Sequence, residues 1–123
     1  MLSDAEWTQL TDYVSSQSQY VCGEESSYIA KALASTTGWS ESVNECAVGN
    51  NFSTNNATGF SALPAGYYYD GGYSNFGDDA YFWSATEGNG SLAYSRSLTY
   101  DDANVYRGDY HKNFGFSVRC VRD

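Results

Sequence analysis

The residues best suited to chemistry cluster in the stretch "NVYRGDYHKNFGFSVRCVRD". Arg107, Gly108 and Asp109 spell the tripeptide by which many ligands engage integrins. His111, the chain's one histidine, follows close behind. A histidine beside Asp109 or Asp102 could move protons near neutral pH. Catalysis would also need a nucleophile, and no Ser or Cys sits in a recognisable nucleophile turn. Integrin recognition would need a tight exposed loop that presents Arg and Asp in opposite directions. Two adjacent acid pairs, Asp78-Asp79 and Asp101-Asp102, offer the hard oxygen ligands that calcium takes. They lack EF-hand spacing, and such acids serve turns equally well by bonding to nearby backbone. The expectation is a protein without a cofactor, with calcium as the alternative.

Three cysteines are present, Cys22, Cys46 and Cys120, with no CxxC pair and one histidine, which argues against a structural zinc site. Cys22 and Cys46 flank an expected helix, so a bridge between them is open in an oxidising compartment. Cys120 alternates with Phe116 and Val118 and reads as a small buried hydrophobe.

Charge narrows the choice of partners. The chain of 123 residues carries a formal net charge of -9. Nothing in it attracts a phosphate backbone or an anionic membrane surface, so nucleic acid is not an expected partner. No stretch reaches the roughly 18 apolar residues of a membrane span. "MLSDAEWTQL" shows neither the basic nor the apolar region of a signal peptide. Aromatic residues make up 17%, with 12 Tyr among them, which rules out a disordered composition. Tyr with Ser, Gly and Asn is the composition of binding surfaces, and equally of a turn-rich domain with a tyrosine-heavy core.

The elements that must position these residues follow from local patterns. Ser3 and Glu6 form a capping box, and Trp7, Leu10 and Val14 then recur at helical spacing. A second helix fits residues 27–35, ending before Gly38. A polar loop follows, anchored by Trp39 and Phe52. From Gly59 onward, "GFSALPAGYYY", "AYFWSAT", "LAYSRSLTY" and "FGFSVRCVR" read as short strands separated by Gly, Asn and Asp clusters. "DGGYSNFGDD" reads as a long loop between two of them. The order predicts an α+β domain over residues 1–123: two helices, then a twisted antiparallel sheet with long loops. In residues 92–100 one face is large (Leu92, Tyr94, Arg96, Leu98, Tyr100). The other is small and reads as solvent-facing (Ala93, Ser95, Ser97, Thr99). The expected core comprises Trp7, Trp39, Leu63, Trp83, Leu98, Val105, Phe116 and Val118.

The ordered segments "LSDAEWTQL", "GW", "GFSALPAGYYY", "FWSATE", "ANVYR" and "KNFGFSVRCVRD" resemble the Fibrobacter succinogenes major paralogous domain, widespread in Bacteroidetes proteins. That family is related to the formylglycine-generating sulfatase-modifying factors, and the resemblance implies a C-type-lectin-like fold. It spans Leu2 to Asp123. The family's usual Leu-Pro-Thr is replaced by Leu2-Ser3-Asp4. Its N-terminal strand has no counterpart, which would leave residues 116–121 as an unpaired edge open to self-association. The formylglycine relatives need two active-site cysteines, and the matching half holds only Cys120, so no enzymatic activity is expected. The Glu-Pro-Asn and Trp-Asn-Asp motifs of calcium-dependent sugar binders are also missing.

Residues 88–114 further resemble the variable region of diversity-generating retroelement proteins, where adenine randomisation of Asn-type codons excludes Lys, Glu, Gln, Met and Trp. Only Lys112 in this stretch belongs to the excluded set. The resemblance implies a frame of Ala93, Arg96, Leu98, Ala103, Val105, Arg107, Lys112 and Gly115. It also implies replaceable ligand-binding positions at Asn89, Ser91, Ser95, Ser97, Thr99, Asp101, Asp102, Tyr106, Gly108, Asp109, Tyr110, His111 and Phe114, with Gly88 and Leu92 beside them. On this basis "RGD" is not a unit, because Arg107 belongs to the frame. The expected function is a ligand-binding domain for bacterial surface or phage adhesion, with protein or glycan partners. The alternatives are an undiversified carbohydrate- or protein-binding surface module and an assembly domain built on an edge strand.

Overall fold

A computed structural model describes residues 1–122, so Asp123 lies outside the described residues. The first helix, α1, spans Asp4–Ser15. The capping box forms as its residues require: the Ser3 side chain accepts from the Glu6 N–H, and the Glu6 carboxylate accepts from the Ser3 N–H. Trp7 and Val14 are buried on its inner face and Leu10 packs partly against them. Trp7 meets Phe60 and Phe82 at ring-centroid distances of 5.8 and 5.7 Å. Truncating such a buried ring costs about 3–5 kcal/mol.

The second helix is much shorter than its sequence predicts. α2 spans only Ala30–Leu33. Tertiary partners take the backbone groups that a longer helix would use. The Ala30 N–H donates to the Ala103 carbonyl, the Ser35 N–H to the Ala62 carbonyl and the Cys22 N–H to the Tyr28 carbonyl. A Cys22–Cys46 disulfide ties the approach to α2 to the following loop. Lys31 extends from α2 to the carbonyls of Ala47, Asn50 and Asn51 and holds that loop closed.

The strands are β1 (Tyr67–Tyr69), β2 (Gly72–Ser74), β3 (Asp79–Glu87), β4 (Leu92–Thr99) and β5 (Tyr106–His111). β3, β4 and β5 form an antiparallel sheet in that order, and β1 and β2 form a separate hairpin. The fold class is therefore α+β, with two helices and antiparallel sheets. The expected loop "DGGYSNFGDD" contains β2, because the turn at Asp70-Gly71 folds Tyr73 back onto Tyr68. Gly66 joins the hairpin to the sheet through a bridge to Ala80. Its φ is +66°, and a Cβ there would lie 2.0 Å from the Ser74 carbonyl oxygen, so only glycine fits.

Residues 106–111 form a strand, not the loop that Gly108 and Asp109 suggest, because β4 supplies a continuous ladder for them. Residues 116–121, expected as a strand, form none. Ser117 alone bridges to Phe82, through Trp83 N–H to Ser117 O and Ser117 N–H to Tyr81 O. Arg119 then turns away to stack over Phe60 at 4.1 Å and to bond the Phe60 and Ser61 carbonyls. That turn exposes Val118 and Cys120, which the alternation had placed in the core. Leu63 is likewise exposed, while Trp39 and Leu98 are buried as expected.

The disulfide closes a loop with a sequence separation of 24. Chain-entropy arithmetic gives about 3 kcal/mol for a loop of that length. The Cys22→Ser/Cys46→Ser double variant should lose about that much stability in urea denaturation. An unchanged midpoint would show that the loop is held by Lys31 and its packing alone.

Candidate functional site

The sheet has two unlike faces. Strand alternation and the β3–β4–β5 register put Ala80, Phe82, Arg96, Leu98, Tyr94, Arg107, Asp109 and His111 on the face toward α1. Asp79, Tyr81, Trp83, Ser95, Ser97, Thr99, Tyr106, Gly108 and Tyr110 share the opposite, outer face.

The inner face is organised by one carboxylate. Arg96 is 3% exposed, yet its guanidinium carries a full charge. It donates to Asp4 Oδ1 at 2.7 Å, to the Asp4 carbonyl at 3.1 Å and to Thr8 Oγ1 at 2.9 Å. Arg107 approaches the same carboxylate from β5, with its Nη2 2.8 Å from Asp4 Oδ2. The Arg107 guanidinium also lies 4.2 Å from the Tyr94 ring centre. The tripeptide therefore lies in an extended strand with its arginine engaged by Asp4 and Tyr94. Hydrogen bonding by Arg107, opposed by burial and reinforced by Arg96, holds the Asp4 carboxyl at about 2. Lys112 pairs with Glu87 across the sheet.

The outer face carries a layer of aromatic rings. Phe114 stacks on Tyr69 at 4.2 Å and 11°. Phe116 lies over Tyr81 at 4.7 Å and over Trp83 at 4.3 Å. Tyr110 meets Tyr81, Phe114 and Phe116 edge-on at 5.8, 5.8 and 5.3 Å, and Tyr67 closes the layer against Tyr81 and Phe114. Within β3, β5 and the segments beyond, Tyr81, Trp83, Tyr110, Phe114 and Phe116 are all only half-buried. Burial in this layer, with Asp79 alongside, pushes the Tyr81 hydroxyl above the usual tyrosine range and keeps it neutral. A Cβ at Gly108 would lie 3.4 Å from Tyr110 Cε2, in ordinary van der Waals contact with the layer.

The sequence-derived positions divide around this frame. Tyr110 and Phe114 belong to the aromatic layer, and Ser97, Thr99, Tyr106 and Gly108 share its face. Ser95 does not face solvent: it is 1% exposed and its hydroxyl donates to the Gly108 carbonyl. It lies opposite Trp83 and Gly108 in the register, beneath the ring layer. Asp109 and His111 are exposed on the inner face at the β5 edge. Asn89 and Ser91 shape the β3–β4 hairpin, where Asn89 Oδ1 accepts from the Ser91 and Leu92 N–H groups. Asp101 and Asp102 lie in the turn at the other end of β4, about 23 Å away at strand rise.

Three of these four acids, Asp78, Asp79 and Asp102, serve local structure through their carboxylates. Asp102 accepts from the Asn104 N–H and amide and from the Tyr106 hydroxyl at 2.8 Å. Burial works against its charge, but those donors hold its carboxyl below the ordinary range, and the Asp102 carboxylate in turn lifts the Tyr106 hydroxyl above its own. Asp78 accepts from Ser40 and Asp79 from Asn75. Among the described residues, no three or more His, Cys, Asp or Glu gather as metal ligands.

Sequence reasoning missed Tyr67, Tyr69 and Tyr81 as site residues and placed Trp83 and Phe116 in the core. The signal was the alternation of rings in "GYYY" and "AYFW", whose two faces could not be told apart without the position of α1. Near the layer, the Tyr68 and Tyr73 rings meet at 4.9 Å, with Tyr73 83% exposed.

These features define an α+β domain with a helix latched to one sheet face and an open aromatic layer on the other. The chain belongs to the Fibrobacter succinogenes major domain family, whose model matches residues 1–122. No curated protein and no solved structure matches it. No helix among the described residues is long and apolar enough to cross a membrane.

The Asp4 carboxyl lies below its unfolded value, about 3.9. Its contribution is therefore complete above that value and is lost as the pH falls toward about 2. Urea denaturation at stepped pH should show this acid-side loss. Asp4→Asn should flatten it and lower stability near neutrality by about 3 kcal/mol, because the buried Arg96 charge keeps no counter-ion. Equal stability in the two proteins at neutral pH would contradict the latch.

Proposed function

We propose that this protein is a non-enzymatic ligand-binding domain that recognises a protein or glycan through the outer face of its sheet and the side chains flanking it on β5. The observation that carries this is the half-buried aromatic layer centred on Tyr110 and Phe114. Its rings hold one another in place, so they offer flat contact area with little side-chain entropy left to lose on binding. Tyr106 with Asp102 supplies polar groups beside it, and Asp109 and His111 supply them from the opposite face of β5. The C-type-lectin-like architecture, the bacterial surface or phage setting and the diversification of residues 88–114 belong to the same proposal. The exposed positions Asn89, Ser91, Asp101, Tyr106, Asp109 and His111 support diversification, since replacing such residues usually changes stability by about 0.5 kcal/mol or less. Ser95 is outside that set because it is buried.

Glycan and protein arrays probed with the labelled domain should return a ligand. Alanine at Tyr106, Asp109, Tyr110 or His111 should then weaken its binding by about tenfold at one or more positions, with the circular dichroism spectrum unchanged. Full binding in all four variants would reject the surface.

Diversification has its own test in coding DNA. A near-identical copy of the segment encoding residues 88–114, differing at adenines and lying beside a reverse transcriptase, should be found in the source genome. A genome without such a copy would leave an undiversified binding module.

A further inference from the structure

Among the described residues, β5 has a ladder partner on one side only, β4. The Lys112 N–H donates to the Ser91 carbonyl at 2.9 Å, just outside the Leu92–His111 pair. That pair is therefore of the non-hydrogen-bonded kind, and the alternation along an antiparallel ladder follows from it. Tyr106, Gly108 and Tyr110 turn their backbone groups toward β4. Arg107 and Asp109 turn theirs outward, and both residues are exposed.

The sequence of this edge, Tyr106-Arg107-Gly108-Asp109-Tyr110, reads nearly the same in both directions by residue class. An antiparallel copy centred on Gly108 would place each Arg107 opposite the other chain's Asp109 and each Tyr106 opposite a Tyr110. Opposite charges and paired aromatics are the favourable cross-strand combinations. Arg107 and Asp109 are also the residues whose N–H and C=O groups face outward, so the centred register forms hydrogen bonds where the charges meet. A register centred on Asp109 would oppose two aspartates and is disfavoured.

We propose that β5 is a self-recognition edge, through which two copies of this chain join their sheets about a twofold axis at Gly108. Six strands become continuous, with the helices on one side and the two aromatic layers side by side on the other. A ligand bearing repeated epitopes would then meet a bivalent surface. The self-association edge expected at residues 116–121 is thereby relocated to β5.

Sedimentation equilibrium tests this, run at about 0.15 M salt so that the -9 charge of each copy is screened beyond about 8 Å. A dimer should form as concentration rises toward about 1 mM, the weak end of strand-only association. Asp109→Arg, which opposes two arginines across the axis, should weaken it by about tenfold or more. In a Cys120→Ser background, Gly108→Cys should cross-link between chains under mild oxidation, because a non-hydrogen-bonded pair sets Cα atoms about 4.5 Å apart. Tyr106→Cys in the same background should not, since the two copies of that position lie about 14 Å apart along the paired strands. A monomer at every concentration overturns the proposal. So does a dimer that tolerates Asp109→Arg, or one in which Tyr106→Cys cross-links as readily as Gly108→Cys.

Discussion

A buried positive charge sets the terms for this fold. Arg96 sits in the middle strand of the sheet, almost without solvent, and a guanidinium cannot shed its proton to escape the cost. It needs a counter-charge brought from elsewhere in the chain, and Asp4 supplies it from the first turn of α1. The helix N-terminus suits an acid at that point, because its unpaired N–H groups carry partial positive charge. The capping box holds that turn in place, and the Asp4 N–H bonds to Thr86 while the Leu2 carbonyl accepts from Ala85. The carboxylate therefore fixes the helix against β4 and β5, and the backbone of Leu2 and Asp4 fixes it against β3.

That latch divides the labour between the two faces. Stability resides on the inner face, where Trp7, Phe60 and Phe82 pack beneath α1. The outer face carries no helix, so its rings pack sideways on one another and remain half open. A surface built this way is stiff without being closed, the condition under which aromatic side chains make good contacts. Arg107 shows the same division within one tripeptide: it belongs to the latch, while Asp109 stands exposed at the edge.

The order of elements and much of the sheet were legible in the residues themselves. α1 follows from a capping box three residues wide and from apolar spacing within one helix. β3 follows from its run of three rings, and β4 from large and small residues that alternate along its eight positions. Such signals are local, and the tertiary structure had no reason to override them. The aromatic layer was half legible, since composition announced the rings but not which face they occupy.

Long-range partners decided the rest. α2 shrank because Ala103 and Ala62 claimed the backbone groups flanking it. Residues 106–111 became a strand because β4 offered a ladder to residues that prefer turns. Residues 116–121 lost their strand because Arg119 found Phe60 and its carbonyl, and Ser95 went under a ring layer drawn from four separate segments. The deciding partners lie from 9 residues away (Ser97 and Tyr106) to 73 residues away (Ala30 and Ala103), beyond the reach of local periodicity. The sequence by itself determined which segments could be helix or strand and which residues could make contacts. Only the folded chain decided which face looks outward, because that depends on where the charge of Arg96 meets Asp4.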